Sequence, residues 1–163
     1  MKIISGGQNG ADLSGLLAAR KYNLETGGWL PKGCITLDGP KKEYLDLYNM
    51  KESHGGYAIR TEANVRDSDG TIRFASDFSS AGEKCTLRAI NWFKKPHLKI
   101  DIKKPMAKEK VIDWIKENNI KVLNIAGNSE QTSPGIEQFV FSYLCEIFER
   151  MKCPTFHKAT EKS

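Results

Sequence analysis

A short apolar strand runs into a glycine-rich turn and then directly into a helix near the start of the chain. The segment IISGGQNGADLSGLLAARKY fills positions 3–22, and its turn contains Gly6, Gly7 and Gly10. Asp12 stands where the helix begins, which is favourable because the amino end of a helix carries partial positive charge. Glycines in such a turn let the backbone come close to a bound group. The segment therefore predicts a strand–turn–helix unit of an α/β protein, with a ligand near the turn.

Apolar strands and amphipathic helices continue to alternate along the chain, without an internal repeat. Several strands are nearly continuous apolar runs, which is typical of a parallel sheet covered on both faces. We therefore predict an open, mostly parallel α/β sheet with helices on both faces, in a single domain. The predicted strands are residues 2–4, 57–60, 71–76, 97–102 and 121–127; the predicted helical segments, including their first turns, are 15–21, 79–95, 107–119 and 133–151; residues 24–34 are predicted as a loop.

Composition and charge restrict the partners of the chain. Its 163 residues carry a formal net charge of +5, which favours an anionic partner. The lysines are scattered and not interleaved with aromatic residues, so nucleic acid is not expected. No apolar run approaches the roughly 18 residues that span a bilayer, so no membrane partner is expected. The chain opens directly with a strand and carries four cysteines, which predicts a cytoplasmic protein. The cysteines form no C-x-x-C pair, so no metal site is expected.

Three predicted secondary-structure junctions are rich in small or polar residues, and their sequences are SGGQNG, SSAG and NIAGNS. Open α/β sheets bind ligands at the carboxyl ends of their strands, so we expect these segments to converge on one crevice. The N–H groups of the first turn form a potential phosphate site, although the turn matches neither G-x-x-x-x-G-K-[ST] nor G-x-G-x-x-G. A tight structural turn is the alternative. Ser133 opens a similar junction, where anion binding and simple helix capping are equally open.

Two further segments carry side chains suited to a phosphorylated ring. In RTEANVRDSDGT, Arg60 is suited to clamp a phosphate, and Asn64 and Asp67 to pair with the edge of a purine or pterin ring. In GGWLPKG, Trp29 is suited to stack on a flat ring and Lys32 to meet a phosphate. Both segments also have a structural explanation, since polar runs are common on protein surfaces and an aromatic side chain can fill a loop.

Four motifs of the chain occur in the order of a known family. SGGQNGAD resembles S-G-G-Q-T-G-x-D, GGWLPKG resembles G-G-W-x-P-x-G, RTEANVRDSDGT resembles R-T-x-x-N-V-x-x-S-D-G-T, and LNIAGNSEQTSPGI resembles L-N-V-A-G-P-R-x-S-x-x-P-G-I. These patterns belong to the molybdenum carrier group of the SLOG superfamily, which is related to the lysine-decarboxylase-like LOG proteins. The resemblance extends from Lys2 to about Tyr143. It implies a Rossmann-like ligand-binding domain, which we place at residues 1–150, before a polar tail at 151–163.

The resemblance also implies a ligand, a partner and an assembly. The ligand would be the molybdenum cofactor, a pterin with a phosphate, or a related nucleotide, and the protein would form a homo-oligomer. A molybdoenzyme or a cofactor-synthesis enzyme would be the partner. The residues expected to face the ligand combine those carried over from the family motifs with Gly10 and Lys32 of the same segments. They are Gly6, Gly7, Gln8, Asn9, Gly10, Trp29, Lys32, Arg60, Asn64, Ser68, Asp69, Gly82, Thr86, Gly127 and Ser133.

The chain departs from the family pattern at positions that bear on the ligand. The departures are Asn9 for Thr, Leu13 for Arg, Glu83 for Thr, and Asn128 and Ser129 for Pro-Arg. Glu83 puts a negative charge near the expected anion site, and it either binds a different edge of the ligand or points away. The absence of Arg at position 129 removes a cation that would help to hold a phosphate. These changes affect the identity of the ligand more than the fold.

Two classes of function fit the predicted crevice. Superfamily hydrolases that release a base from a nucleoside monophosphate carry P-G-G-x-G-T-x-x-E, and their Glu position falls here on Arg88. Glycosidic cleavage needs a carboxylate, and the nearest substitutes are Glu62, Asp69 and Glu83. We therefore predict a binding protein that carries its ligand, and we assign no catalytic residue. A nucleotide sensor and a hydrolase are the alternatives, and the hydrolase would need a carboxylate with a perturbed pKa in the crevice.

Overall fold

Strands and helices alternate along the chain as the sequence predicts. The computed structural model describes residues 1–153. The helices are α1 (Ala11–Lys21), α2 (Tyr44–Leu47), α3 (Tyr57–Arg66), α4 (Ala81–Phe93), α5 (Lys108–Glu117) and α6 (Ile136–Lys152), with a 3-10 helix at Lys32–Cys34. The strands are β1 (Lys2–Ser5), β2 (Glu25–Gly27), β3 (Trp29–Leu30), β4 (Ile35–Thr36), β5 (Gly39–Pro40), β6 (Lys51–Glu52), β7 (Gly70–Ala75), β8 (His97–Asp101) and β9 (Val122–Gly127).

Five strands form the central sheet in the order β2-β1-β9-β7-β8, and every neighbouring pair is parallel. Strand β7 is buried along its whole length, as its apolar sequence predicts. Ser5 of β1 lies beside Ile125 of β9, and Phe74 of β7 lies beside Gly127. The carboxyl ends of β1, β9 and β7 therefore meet at one edge of the sheet.

Helices cover both faces of the sheet, because successive side chains of a strand point to opposite faces. Ile72 and Phe74 of β7 join the main apolar core with Leu144 of α6. Arg73, which lies between them in sequence, bonds to Glu83 of α4 on the other face. The predicted open α/β fold, with a parallel sheet and helices on both faces, is confirmed.

Two segments differ from their predicted secondary structure. Residues 57–60 begin helix α3 and do not form a strand. The segment is too short to show a period by itself, but the helix buries Thr61 and Val65 one turn apart. The predicted loop 24–34 contains two short strands: Trp29–Leu30 form β3, and residues 25–27 form β2 at the edge of the sheet. A strand this short that ends in glycine carries no alternating pattern, and only its pairing with β1 reveals it.

The last helix runs past the predicted end of the domain. Helix α6 continues to Lys152, so the predicted boundary between residues 150 and 151 lies inside its last turn. The greater part of the predicted tail, residues 154–163, lies outside the described residues. Within residues 1–153, no helix has the length and apolar character needed to cross a bilayer.

Candidate ligand-binding site

A cavity of about 510 Å³ lies at the carboxyl edge of the central strands. The first turn, the start of α4 and the end of β9 all contribute to it, which brings together the three segments that we expected to converge. Helix α3 and the β4–β5 hairpin complete the wall. The volume suits a small molecule such as a nucleotide or a pterin. The lining residues are Gln8, Asp12, Leu37, Tyr57, Ala58, Arg60, Thr61, Ser80, Ala81, Gly82, Cys85, Thr86, Ala126, Gly127, Asn128, Ser129 and Thr132.

Arg60 supplies the cavity with a positive charge that the protein only partly neutralises. Its side chain is 13% exposed, and its Nη1 lies 3.7 Å from Oδ2 of Asp12. The same Nη1 donates to Oγ1 of Thr61 at 3.1 Å. Nε of Arg60 is buried and has no hydrogen-bond partner among residues 1–153. A Cβ atom at Gly6 would overlap the guanidinium, so glycine at this position leaves room for the cation.

Asp12, which we expected only to favour the start of α1, lines the same cavity. Its carboxylate accepts a hydrogen bond from N–H of Gln8 at 3.3 Å. Burial raises the pKa of Asp12 to about 6, against the opposing attraction of the Arg60 guanidinium. Buried carboxylates with perturbed pKa values in clefts cluster at functional sites. The one sequence signal for this role was the place of Asp12 in the motif SGGQNGAD.

The N–H groups of residues 7–10 all donate within the protein. Their acceptors are side-chain oxygens of Ser5, Gln8, Asp12 and Glu137. The N–H groups that we expected to grip a phosphate therefore hold the side chains of the protein itself. Gly7 has a positive φ, and a side chain there would point at Leu30 and Met50 of a small apolar cluster. Gly7 thus serves the packing of the turn and does not line the cavity.

Asn9 and Gly10 connect the first turn to neighbouring loops. Nδ2 of Asn9 donates to the carboxylate of Asp38 in the β4–β5 hairpin, and its Oδ1 accepts N–H of Glu130. A Cβ atom at Gly10 would overlap the backbone of Asn128 at the end of β9. Both residues stand outside the cavity lining and fix the position of the turn that holds Asp12.

The amino end of α4 presents free backbone donors to the cavity. Ser80 caps this helix by accepting N–H of Glu83 at 3.3 Å. The N–H groups of Ala81 and Gly82 have no acceptor in the described part of the chain, and both residues are exposed and line the cavity. Unpaired N–H groups at a helix N-terminus attract anions. The start of α4 therefore offers an anion two free donors at the wall of the cavity, whereas the N–H groups of Gly7 to Gly10 are already paired.

Glu83 points away from the cavity, which settles the alternative that the sequence left open. Its carboxylate accepts a hydrogen bond from Nη1 of Arg73 at 2.9 Å, and both side chains are buried. Burial raises the pKa of Glu83, and the neighbouring Arg73 opposes that shift. The pair ties α4 to β7 beneath the free N–H groups of the helix. Since Glu83 does not line the cavity, Asp12 is the buried acid of the cavity wall.

Asn128 ties the end of β9 to two neighbouring loops. Its Oδ1 accepts N–H of Ser76 and of Asp77, and its Nδ2 donates to the carbonyl of Asp77. Ser133 is buried and donates to Asn128, while the carboxylate of Glu130 accepts N–H groups at the start of α6. Glu130 thus occupies the position that an anion would take at this junction, and Ser133 neither caps α6 nor lines the cavity.

Trp29 lies outside the cavity lining, together with the side chains that we expected to read a ring edge. Nε1 of Trp29 donates to Oδ2 of Asp67 at 2.8 Å. Asn64 binds the backbone of Trp29 on both sides, accepting its N–H and donating to its carbonyl. The hydrogen bond from Arg66 lowers the pKa of Asp67. Asn64 and Asp67 therefore hold α3 to β3, and Trp29 is packed beside them.

Three further candidates also lie away from the main cavity. Lys32 is exposed in the 3-10 helix, and Oγ of Ser68 donates to the carbonyl of Val65. Asp69 accepts N–H of Val122 at 2.8 Å, at the amino end of β9 and thus at the opposite edge of the sheet.

No cluster of three or more His, Cys, Asp or Glu side chains in the described chain is placed to hold a metal ion. The predicted residues that do line the cavity are Gln8, Arg60, Gly82, Thr86 and Gly127.

Comparison with known proteins identifies the family of this fold. The sequence profile described as the circularly permutated YpsA SLOG family matches residues 3–148. A crystal structure of a "Putative molybdenum carrier protein" from Syntrophus aciditrophicus SB is similar to the chain, with a TM-score of 0.80 and 38% sequence identity over 90% of this chain and 93% of that one. No curated protein gives a significant match. In agreement with the motif resemblance, the chain belongs to the circularly permutated YpsA SLOG family.

Proposed function

We propose that this protein binds a small phosphorylated ring compound in the main cavity and carries it. The observation behind the proposal is that one cavity combines the partly neutralised Arg60 with the free N–H groups of Ala81 and Gly82. A guanidinium and the N–H groups of a helix N-terminus are donors that proteins use for phosphate. In this arrangement α3 and α4 hold the phosphate, and the first turn holds Asp12.

The rest of the cavity wall suits a flat ring with polar edges. Tyr57 is 45% exposed and Leu37 is 54% exposed, so both offer apolar surface on which a ring can lie. Oε1 of Gln8 accepts N–H of Leu37, which leaves the Nε2 group of Gln8 to donate to a ring oxygen or nitrogen. A phosphorylated pterin or purine meets both requirements of the cavity.

The cargo we favour is the molybdenum cofactor or a related phosphorylated pterin. Support comes from the Syntrophus protein, which is named a putative molybdenum carrier and shares 38% of its sequence with this chain. A nucleotide combines the same two parts, so a nucleotide sensor or sequestering protein is the alternative within this proposal. That the protein forms a homo-oligomer remains a prediction. The same holds for its partner, a molybdoenzyme or a cofactor-synthesis enzyme.

Native mass spectrometry of the protein purified from a host that makes molybdenum cofactor tests this proposal. We expect the intact protein to carry extra mass, and denaturation to release a phosphorylated pterin. A released nucleotide would favour the sensor. An empty protein that neither phosphorylated pterins nor nucleotides stabilise against heat would contradict the proposal. In the same experiment the variant Arg60→Ala should carry no extra mass. Arg66→Ala is its matched control and should retain the ligand, because Arg66 is an exposed cation of the same helix that pairs with Asp67.

Hydrolysis of a nucleoside monophosphate is the second candidate function, and Asp12 is the observation that favours it. A hydrolase needs a carboxylate that can accept a proton from water near neutral pH, and burial raises the pKa of Asp12 to about 6. Water would attack the sugar carbon and give one proton to Asp12. The bond from that carbon to the base would break with its electrons leaving on the base nitrogen, and that nitrogen would take a proton from solvent water. Chromatography of nucleoside monophosphates incubated with the protein tests this function. Base release that Asp12→Asn abolishes would support it, and unchanged nucleotides would exclude it for those substrates.

Anion binding is expected to strengthen as the pH falls through the pKa of Asp12. That pKa is raised to about 6, so Asp12 is charged at pH 7.5, where it repels an anion and attracts Arg60. Near pH 5.5 the acid becomes neutral and Arg60 is free for the anion. We expect sulfate, which does not titrate in this range, to bind roughly tenfold more tightly at the lower pH. Calorimetry at both pH values measures the change.

The variant Asp12→Asn is the matched control for this pH dependence. It should bind sulfate at pH 7.5 about as tightly as the unmodified protein does at pH 5.5, and its affinity should change little between the two pH values. The same pH dependence in both proteins would assign the effect to another group.

A further inference from the structure

A second, much smaller cavity lies against the first. Its volume is about 10 Å³, close to the space that one water molecule needs. It shares Asp12, Arg60, Thr61, Thr86 and Ala126 with the main cavity, so the two are separated only by these residues. Its remaining lining residues are Gly6, Asn64 and Asn124.

Two unsatisfied polar atoms of opposite kind belong to the residues around this small cavity. Nε of Arg60 is a donor and Oδ1 of Asn124 is an acceptor, and both are buried without a hydrogen-bond partner in residues 1–153. Asn124 is only 2% exposed. Its Nδ2 donates to Oγ1 of Thr71 at 3.2 Å, which orients the amide and leaves Oδ1 on its other side. Buried polar groups nearly always find partners in proteins, often through an ordered water.

We infer that one water molecule binds in this small cavity, accepting N–H of Arg60 Nε and donating to Oδ1 of Asn124. A single water satisfies both atoms, and its second hydrogen can bond to Asp12 or to the hydroxyl of Thr86, which line the same space. The water joins β9 to the guanidinium of Arg60. Asn124 thereby becomes a positioning residue, because it lines the small cavity but not the main one.

The water completes the set of contacts that hold Arg60 ready for an anion. Thr61 and Asp12 hold the guanidinium through Nη1, and Gly6 leaves the space in which it lies. The water fixes the Nε side, which nothing else in the described chain holds. A long side chain that is already ordered loses less freedom when its ligand binds. The inference rests on the proposed function, since it gives Arg60 the role of binding the phosphate.

A high-resolution crystal structure of the unmodified protein tests the water site without any ligand. We expect a water within hydrogen-bond distance of both Arg60 Nε and Asn124 Oδ1. Well-ordered density for both side chains, with no water between them, would overturn the inference. This measurement needs no variant, so it stays decisive if a substitution at Asn124 prevents folding.

The variant Asn124→Leu tests the role of the water in binding. We expect it to weaken sulfate binding by about fivefold to tenfold, as the net loss of one typical hydrogen bond predicts. Asn124→Leu also removes the hydrogen bond to Thr71, so Thr71→Val is the matched control. Thr71→Val breaks that bond and leaves Oδ1 of Asn124 in place, and it should bind sulfate as the unmodified protein does.

A double-mutant cycle with Arg60→Lys separates positioning from a general structural effect. Lysine has no Nε–H group for the water, so Asn124→Leu should change sulfate affinity little in the Arg60→Lys background. An equal loss in both backgrounds would overturn the positioning role. A protein that shows the water but binds neither sulfate nor any phosphorylated compound would support the water site and contradict the proposed function.

Discussion

Arg60→Ala is expected to weaken the binding of a phosphorylated ligand by at least about a hundredfold, because charge-assisted hydrogen bonds from a buried guanidinium are strong. The side chain is mostly buried beside the cavity, and Asp12 and Thr61 fix its Nη1 from the protein side. Calorimetry with the ligand released from the native protein, or with guanosine 5′-monophosphate, measures the loss. The fold should survive, since removal of the cation raises the pKa of Asp12 further and so favours the neutral form of this buried acid.

Two variants make this result specific. Arg66→Ala removes a cation of the same helix whose partner is Asp67, outside the cavity, and should leave binding unchanged. Gly6→Ala keeps Arg60 but places a Cβ atom where the guanidinium lies, and should weaken binding nearly as much as Arg60→Ala. Equal effects of Arg60→Ala and Arg66→Ala would reduce the role of Arg60 to general electrostatic attraction.

Arg73→Met is expected to lower the free energy of unfolding by about 3–5 kcal/mol, because it leaves Glu83 buried without its partner. The two side chains are joined at 2.9 Å between β7 and α4. For a domain of this size, the melting temperature should fall by roughly 10 °C. Calorimetric melting at pH 7.5 measures the change. The loss should shrink at acidic pH, since burial raises the pKa of Glu83 and the isolated acid takes up a proton.

The double variant Arg73→Met/Glu83→Met separates the stability of the pair from its function. Replacing both partners by apolar residues of similar size should recover most of the lost stability. Ligand binding should persist, because neither side chain lines the cavity. Loss of binding in Glu83→Gln at an unchanged melting temperature would contradict the purely structural role of Glu83. It would show that Glu83 takes part in ligand binding.

The fold could be predicted from the sequence because its strands and helices carry strong periodic signals. One crevice at the carboxyl edge of the sheet could be predicted from the apolar sequences of β7 and β9 and from the glycine-rich junctions. The misplaced helix α3 and the missed strand β2 are segments whose local patterns are too short to show a period. Their structure depends on packing against elements that are distant in sequence.

The individual site residues were harder to predict than the crevice. A glycine turn that binds a phosphate and one that holds its own carboxylate have the same composition, so nothing in SGGQNGAD distinguished the two. Asp69 shows a different limit. It directly precedes β7, so it lies at the amino edge of a parallel sheet, while the cavity lies at the carboxyl edge. Its place in the family motif suggested contact with the ligand, whereas its place in the sheet puts it at the edge opposite the cavity.

The departures from the family motifs acquire structural roles that residue types alone do not reveal. Asn128, which replaces proline, uses its amide to join the end of β9 to the loop before α4. Glu83, which replaces threonine, is neutralised by Arg73 on the neighbouring strand. The identity of such partners depends on the alignment of β7 with α4, which a single sequence does not specify.

A crystal structure of the protein with guanosine 5′-monophosphate, or with the ligand released from the native protein, would show directly where the phosphate binds. We expect a phosphate within hydrogen-bond distance of the Arg60 guanidinium and of N–H of Gly82, with the ring between Tyr57 and Gln8. A phosphate held by the first turn in place of the Asp12 carboxylate, or a ligand outside the main cavity, would contradict this expectation.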